Sequence, residues 1–289
     1  MQAVDLFVLS TSTARMELSI DSVLRERFGL ESFRPWQREA IEAVLVEPGR
    51  APVVAPIGGG KSFTYQRPAA VLAARGLKVL VIDLDPQNAL CIHLGLDPQE
   101  HAGLVREGVS LQGMFDSPFG IKFIPFGRVH PDELAEFESA LKTQPRWLFE
   151  SIRSIPRNRF DYILIDTPPG PSAFLQQSLA AVHMAIIVVL ADAASYVTIP
   201  HILGLTKTYT KSSRRFKGAH IVLNQLPTQG QLGHTIQANL FAQYGPSMVP
   251  VSIHRDTNVA HALAFERPVV QFEPGCKVSL DFQYLADWL

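Results

Sequence analysis

From residue 52 onward, short apolar runs alternate with longer segments of mixed polarity. Short apolar runs bounded by turn residues predict strands. The predicted strands are 53–55, 78–83, 121–125, 162–166, 186–190, 219–223 and 248–251. Runs such as Val79-Leu80-Val81-Ile82 are apolar at every position, which is typical of strands covered on both faces. The alternation predicts an α/β fold: a doubly wound, mainly parallel sheet with helices on both faces and ligands at the carboxyl ends of the strands.

Segments between the strands are predicted to be helical. They include 63–75 (which contains Pro68), 131–142, 173–181, 231–244, 259–265 and 278–288. The first 50 residues follow another pattern, in which 1–20 carry little periodicity and two helices are predicted, one ended by Gly29 and one opened by Pro35. We therefore divide the chain into an N-terminal helical extension, 1–50, and a main domain, 51–289.

A glycine-rich loop follows the first predicted strand. Ala55-Pro56-Ile57-Gly58-Gly59-Gly60-Lys61-Ser62 leads from this strand into a helix, as in the phosphate-binding loop of P-loop NTPases, although Ala55 stands where the strict pattern has glycine. Glycines let backbone N–H groups point at a phosphate, and the helix N-terminus adds positive potential. The loop predicts nucleotide binding by Gly58, Gly59, Gly60, Lys61, Ser62 and Phe63, with Lys61 on the β/γ-phosphates and Ser62 on Mg²⁺. The alternative is a glycine-rich turn that binds nothing.

Aspartates stand at the ends of two later strands. Asp83 and Asp85 follow the run 78–82, and Asp166 follows the run 162–165. Carboxylates beside a P-loop can hold the water shell of Mg²⁺ and orient an attacking water. The segments 85–88 and 167–170 are predicted to change shape with nucleotide state. The alternative is that these are ordinary aspartates at loop starts.

Residues 76–289 resemble the MinD/ParA group of P-loop ATPases. The resemblance rests on 76–87, which ends in Asp83-Leu84-Asp85-Pro86-Gln87, and on 161–170, which contains Asp166-Thr167-Pro168-Pro169-Gly170. The segments 123–127 and 253–256 are similar to the ATPases encoded in bacterial cellulose-synthase operons (BcsQ type). The resemblance implies a slow, Mg²⁺-dependent ATPase that acts as a cytoplasmic nucleotide switch in cellulose biosynthesis or secretion, with cellulose synthase complex subunits as partners.

The resemblance also implies roles for single residues. Asp85 would orient the hydrolytic water, Asp83 would lie close to the metal, and Asp166 would be the Walker B carboxylate. Asn224 would bind adenine, with Pro250 and Arg255 nearby. Members of the MinD/ParA group carry a signature lysine that reaches the partner's nucleotide in a homodimer. Here Pro56 occupies that position, which puts the usual dimer in doubt.

Residues 22–74 resemble the start of RecQ-type helicases instead. The resemblance rests on 23–37, which ends in Arg34-Pro35-Trp36-Gln37, and on 56–66. It implies that Gln37 reads adenine. No D-E-x-H box follows, and the chain is too short for a second motor domain, so a working helicase is the least favoured function. The chain resembles a natural or engineered join of two P-loop lineages.

A local basic cluster leaves a second function open. The net charge of −1 gives no overall attraction to nucleic acid, so DNA binding would need a local patch. Such a cluster occurs within 207–217, with Tyr209 and Phe216 interleaved: Lys207, Lys211, Arg214, Arg215 and Lys217. It is typical either of non-specific DNA binding, as in chromosome- or plasmid-partition ATPases, or of a solvated helix end and loop. A third hypothesis, motivated by Pro56, is a nucleotide-binding scaffold without turnover.

The sequence predicts neither a membrane span nor a secreted chain. The longest apolar run, 185–191, is far too short to cross a bilayer. No basic lead precedes the short N-terminal apolar run, so no signal peptide is predicted, and we expect a cytoplasmic protein.

Overall fold

The computed structural model describes residues 53–55, 61–97, 100–156 and 158–289, with only the backbone described for 53–55, 61–67 and 193. The predicted extension 1–50, including Gln37, and residues 56–60 with Gly58, Gly59 and Gly60 lie outside the described residues. Predictions that fall on them stay predictions.

The described strands form one seven-stranded sheet. They are β1 Val53–Ala55, β2 Val79–Asp83, β3 Phe115–Asp116, β4 Lys122–Ile124, β5 Tyr162–Asp166, β6 Met184–Leu190 and β7 Gly218–Asn224. Their order is β3-β4-β2-β5-β1-β6-β7, and every pair is parallel except β3 with β4. The predicted doubly wound, mainly parallel sheet is confirmed. Strand β1 is an inner strand, between β5 and β6. In this class of fold, ligands bind in the crevice at the carboxyl ends of the strands.

Helices connect the strands. They are α1 Lys61–Ala74, α2 Leu90–Leu94, α3 Leu104–Glu107, α4 Pro131–Thr143, α5 Trp147–Ser154, α6 Ala173–Ala181, α7 Ala193–Thr210, α8 Gln231–Tyr244, α9 Asn258–Ala264, α10 Val269–Phe272 and α11 Lys277–Trp288. Polar side chains begin several of them: the Ser172 hydroxyl accepts from Leu175 N at the start of α6, and Asp192 Oδ1 accepts from Ser195 N at the start of α7. None of the helices in this described part is long and apolar enough to cross a membrane.

The two faces of the sheet bury different side chains of the same strand. In β2, Val79 and Val81 belong to a hydrophobic cluster with α1 and α11, whereas Leu80 and Ile82 belong to a cluster with α5 and α6. Alternation of this kind follows from the two-residue period of a strand. Because both faces are covered, β2 is buried at every position, as its continuous apolar run predicts.

The predicted strand 248–251 is wrong. This segment runs beside β7 and forms one isolated bridge, between Met248 and Ile221. Val249 N donates to Ile221 O at 2.9 Å, and the next N–H to reach β7 is that of Ile253. In a parallel ladder the next donor toward β7 after Val249 would be Val251 N, which makes no such bond, so a continuous ladder does not form.

Two glycines allow the chain before α3 to cross the end of β4. A Cβ on Gly103 would lie 2.5 Å from Pro125 O and 2.8 Å from Gly127 N. Gly127 has a φ of +86°, and a Cβ there would lie 3.1 Å from His101 O. Leu104 N donates to Pro125 O at 2.8 Å across this crossing. Neither glycine position has room for a side chain.

A buried amide joins three helices on the other side of the sheet. Gln177, on α6, donates through Nε2 to Leu141 O at 3.0 Å and to Gln144 O at 2.5 Å. Its Oε1 accepts from Leu148 N at 3.0 Å. The side chain thereby gives Leu148 N and Leu141 O a partner, and it gives a second partner to Gln144 O, which also accepts from Trp147 N at 3.0 Å.

Replacing Gln177 with leucine should therefore lower the free energy of unfolding by about 2–4 kcal/mol, since three backbone groups lose a buried partner. Urea unfolding at neutral pH measures the loss. Gln176→Leu, at the partly exposed neighbouring position, is the matched control, and its effect should stay within about 0.5 kcal/mol. Equal effects of the two substitutions would contradict the assigned contribution.

Candidate functional site

The ends of three neighbouring strands stand in one row. In the sheet register, Ala55 of β1 pairs with Asp166 of β5, and Asp166 pairs with Asp83 of β2. Neighbouring strands are about 5 Å apart. The backbone of Asp166 therefore lies roughly 5 Å, and that of Asp83 roughly 10 Å, from the end of β1. From there the chain leads into the glycine-rich loop, and α1 begins at Lys61.

Asp83 is completely buried. Its Oδ1 accepts from Asp85 N at 2.8 Å, whereas its Oδ2 has no hydrogen-bond partner among the described residues. Burial, and then the negative charge of Asp166, raise the pKa of the Asp83 carboxyl well above its usual range. A buried carboxylate with an unsatisfied oxygen costs free energy unless a cation or a donor compensates it.

Asp166 connects the ends of β5 and β2. Its main-chain oxygen accepts from Leu84 N at 2.9 Å, and its Oδ1 accepts from Thr167 N at 2.9 Å. Asp166 and Thr167 are both buried. The chain then passes through Pro168-Pro169 to Gly170, whose φ of +83° lies in the left-handed region. A stiff pair of prolines before a left-handed glycine gives this loop one defined hinge.

The segment after β2 folds into a tight turn that ends in a strained residue. Asp85, which is partly exposed, accepts from Gln87 N at Oδ1 and from Asn88 N at its main-chain oxygen. Asn88 has a φ of +51° and is 6% exposed, and neither polar atom of its amide has a hydrogen-bond partner within the described ranges. A buried, unsatisfied amide in the left-handed region is a mark of a functional loop. Sequence analysis placed Asn88 in a switch loop but not in the site.

The remaining predicted site residues divide into two groups. The side chains of Lys61, Ser62 and Phe63 lie outside the described part, although the backbone places all three in the first turn of α1. Asn224 ends β7 and is buried; β6 separates β7 from β1. Pro250 and Arg255 are exposed residues of the segment that runs beside β7. The structure therefore brings together Asp83, Asp85 and Asp166, and places Asn224, Pro250 and Arg255 farther along the sheet.

The basic residues of 207–217 lie at the opposite edge, where the strands begin. Lys207 is in the last turn of α7, and the others belong to the connection that enters β7. Tyr209 and Phe216 pack against the hydrophobic core, so neither is free to stack on a base. The predicted helix end and loop agrees with this placement.

Two arginines of α5 and its preceding turn enlarge that basic cluster. The guanidinium of Arg215 lies 4.9 Å from the centre of the Phe149 ring. Those of Arg146 and Arg153 lie 4.6 Å and 5.6 Å from the same ring centre. Sequence analysis missed both, because only the packing of α5 beside the 211–217 connection brings these distant positions together.

Sequence analysis also missed a largely buried hydrogen bond made by the segment 250–255, which was predicted to lie near the base. His254 Nδ1 lies 2.8 Å from Asp281 Oδ2, and the two side chains are 17% and 10% exposed. The residues belong to different elements, and no spacing rule connects them. In the sequence, His254 entered only as part of the segment 253–256.

The strand order, the position of the glycine-rich loop and the aspartates define the class of protein. A parallel sheet in which an inner strand leads through such a loop into a helix, with aspartates ending the neighbouring strands, is the architecture of P-loop ATPases. A family model described as cellulose biosynthesis protein BcsQ matches residues 57–289. The chain belongs to this family, and the resemblance seen in the sequence is confirmed.

The chain is similar in sequence to two relatives and in fold to one solved structure. The chromosome-partitioning ATPase Soj of Thermus thermophilus is 26% identical over 80% of this chain and 90% of that protein. The cellulose biosynthesis protein BcsQ of Salmonella typhimurium is 25% identical over the same shares. The septum site-determining protein MinD of Pyrococcus horikoshii, complexed with Mg-ADP, aligns with a TM-score of 0.63 and 22% identity over 82% of this chain and 95% of that one. At this identity the structural likeness shows the fold alone.

Asp83→Asn should stabilise the ligand-free protein at neutral pH by about 1–2 kcal/mol, because it removes a buried charge next to Asp166. The folded state holds the Asp83 proton more tightly than the unfolded chain, whose ordinary pKa is 3.8. Stability is therefore lost as pH rises from that value through the raised pKa of the folded state. The gain from Asp83→Asn should accordingly be larger at about pH 8 than at about pH 4.

Thermal unfolding at the two pH values measures this difference. Asp116→Asn, which removes an exposed ion pair with Lys122, is the control and should change little at either pH. If Asp83→Asn were less stable than the wild type at about pH 8, the Asp83 carboxylate would have its hydrogen-bond partners in the ligand-free protein.

Proposed function

We propose that the chain binds ATP with Mg²⁺, hydrolyses it slowly, and acts as a cytoplasmic nucleotide switch in bacterial cellulose biosynthesis or secretion. The observation that carries the proposal is the row formed by Ala55, Asp166 and Asp83. It puts two buried carboxylates beside the origin of a glycine-rich loop, and that combination suits a metal–triphosphate ligand. Membership of the cellulose biosynthesis protein BcsQ family supports the cellulose-related process.

The residues present fit Mg²⁺. The buried Asp83 Oδ2 lacks a partner among the described residues, and a water of the metal shell would donate to it. Within the described residues, no three or more His, Cys, Asp or Glu side chains form a metal site of their own. Mg²⁺ is usually held by one or two carboxylates together with substrate phosphates. Ser62, Asp83 and Asp166 would hold it here, and the ion would neutralise charge on the β- and γ-phosphates.

Different residues would bind the phosphates, position the attacking water and hold the base of ATP. The amides of Gly58, Gly59 and Gly60 and the ammonium group of Lys61 would hold the phosphates and absorb charge as it develops on the γ-phosphoryl group. Asp85 is the partly exposed carboxylate of the three, which suits the positioning of a water for in-line attack. Asn224, Pro250 and Arg255 would lie around the base, and Gln37 would be a second candidate for reading adenine.

The two loops of the site would report nucleotide state to partners. The turn 85–88 ends in the strained, unsatisfied Asn88, and 167–170 leads directly into α6. Ordering or release of such segments by a γ-phosphate is a common switch. Cellulose synthase complex subunits are the partners we propose. Pro56 argues against the usual homodimer in which each subunit sends a lysine to the other's nucleotide.

Lys61→Ala should abolish tight ATP binding, whereas Asp85→Ala should bind ATP and fail to turn it over. The first substitution removes the charge that holds the phosphates, and the second removes only the group that orients water. Calorimetry measures binding, and phosphate release measures turnover. The rate of phosphate release should fall at least about a hundredfold in Asp85→Ala. Unchanged affinity of Lys61→Ala would refute the site. A wild-type protein that binds ATP but releases no phosphate above background would favour the scaffold without turnover.

The enlarged basic cluster favours a second candidate function, a partition ATPase that binds DNA non-specifically. The cluster consists of Arg146, Arg153, Lys207, Lys211, Arg214, Arg215 and Lys217. Among the described residues, the ion pair of Arg146 with Glu150 at 3.6 Å is the only one that involves this cluster. Unpaired cations on one surface suit phosphate contacts, and the relative Soj is named as a chromosome-partitioning ATPase.

Under this second function, the double variant Arg153→Gln/Arg215→Gln should weaken binding to duplex DNA and reduce the slope of log K against log salt by about 2. Titration of labelled duplex at several salt concentrations, with ATP present, measures both quantities. Arg128→Gln, an exposed arginine outside the cluster, is the matched control. A wild-type protein without salt-sensitive DNA binding would leave the cellulose-related switch as the better account.

A further inference from the structure

The last helix, α11, is bonded through one carboxylate oxygen to the segment 250–255, which contains Pro250 and Arg255 and is predicted to lie near the base. Asp281 Oδ2 accepts from His254 N at 2.8 Å and from His254 Nδ1 at 2.8 Å. Both side chains are largely buried. Because a carboxylate accepts, the backbone N and the ring Nδ1 of His254 both donate to it. Two charge-assisted hydrogen bonds to a single residue fix its backbone and its ring at once.

The residues on either side of His254 hold the chain just after β7. Leu226 N donates to Ile253 O at 2.9 Å, and Arg255 N donates to Leu226 O at 2.9 Å. Between Leu226 and the last residue of β7, Asn224, stands Gln225 with a φ of +54°. A non-glycine residue in the left-handed region persists only where its surroundings impose that conformation. The Ile253–Leu226–Arg255 bonds supply this constraint, and His254 lies at their centre.

The same helix packs against the helix that begins at Lys61. Phe282 and Leu285 of α11 share a hydrophobic cluster with Ala69 and Leu72 of α1. Ile253 belongs to this cluster as well. One side of α11 therefore contacts the helix that follows the glycine-rich loop, and Asp281 on the same helix holds the segment beside Asn224.

We propose that Asp281 is a positioning residue that, through His254, places Asn224 and Arg255 at the correct distance from the first turn of α1 for the base of a nucleotide. The inference rests on the proposed function, since it presumes that the site binds ATP. It assigns α11 the task of fixing the span between the phosphate end and the base end of the site. Asp281 itself does not touch the nucleotide.

The test compares ATP with inorganic tripolyphosphate, which has the phosphates but no base. In the full chain with Mg²⁺, Asp281→Ala should weaken ATP binding about tenfold, the equivalent of one well-placed hydrogen bond, and leave tripolyphosphate binding within about twofold. Asp281→Asn keeps an oxygen that can accept from His254 N, so its ATP affinity should stay within about threefold of wild type. Calorimetry with the two ligands gives both constants.

Two further variants separate this role from general stabilisation. His254→Ala removes the ring bond, keeps the backbone bond and does not alter α11, so it should weaken ATP binding selectively but less than Asp281→Ala does. Asp287→Asn is the matched control, since Asp287 lies on the same helix in an exposed ion pair with Arg75, and it should change neither constant. Equal loss of ATP and tripolyphosphate binding in the Asp281 and His254 variants would overturn this inference alone. A wild-type chain that does not bind ATP would overturn the proposed function and this inference together.

Discussion

Two carboxyl groups held close together in a buried part of the protein constrain the register of its sheet. Asp83 and Asp166 end neighbouring strands in direct register, and both are buried. A slip of one residue between β2 and β5 would turn one carboxylate to the opposite face of the sheet. The packing of both faces opposes such a slip, since Leu80 and Ile82 would exchange with Val79 and Val81 between two differently shaped clusters. The core therefore supplies the free energy that keeps two buried carboxyl groups side by side.

The sheet separates opposite charges at its two edges. Carboxylates gather where β2 and β5 end, whereas Arg215 and its neighbours gather where β7 begins. The net charge of −1 conceals this separation. Between the edges, α6 starts at the end of the loop 167–170 and is bound at Gln177 to the turn that precedes α5 and its arginines. A continuous set of packed elements thus lies between the two charged surfaces.

Features encoded by local pattern could be predicted from sequence, and features created by packing could not. The strand 162–166 and the helices 173–181 and 231–244 have the predicted bounds, because their apolar periodicity agrees with their burial. The predicted strand 248–251 is wrong because its segment forms only one bridge with β7 and Val251 N makes no bond to it. Arg146 and Arg153 lie beside the basic cluster, and His254 bonds to Asp281, because tertiary packing brings together positions that are distant in the chain. No local pattern predicts these contacts. The roles of Lys61, Asp85 and Asn224 stay predictions.

The crossing of Gly103 and Gly127 has a consequence for how this sequence can change over evolutionary time. A Cβ on Gly103 would meet Pro125 O and Gly127, and a Cβ on Gly127 would meet the carbonyl groups of His101 and Ala102. A methyl group at one position could be accommodated only if the other segment moved, and the bond from Leu104 N to Pro125 O resists that movement. Each position should therefore keep glycine for as long as the crossing is kept, since a substitution at the second position would add a clash with backbone and relieve none.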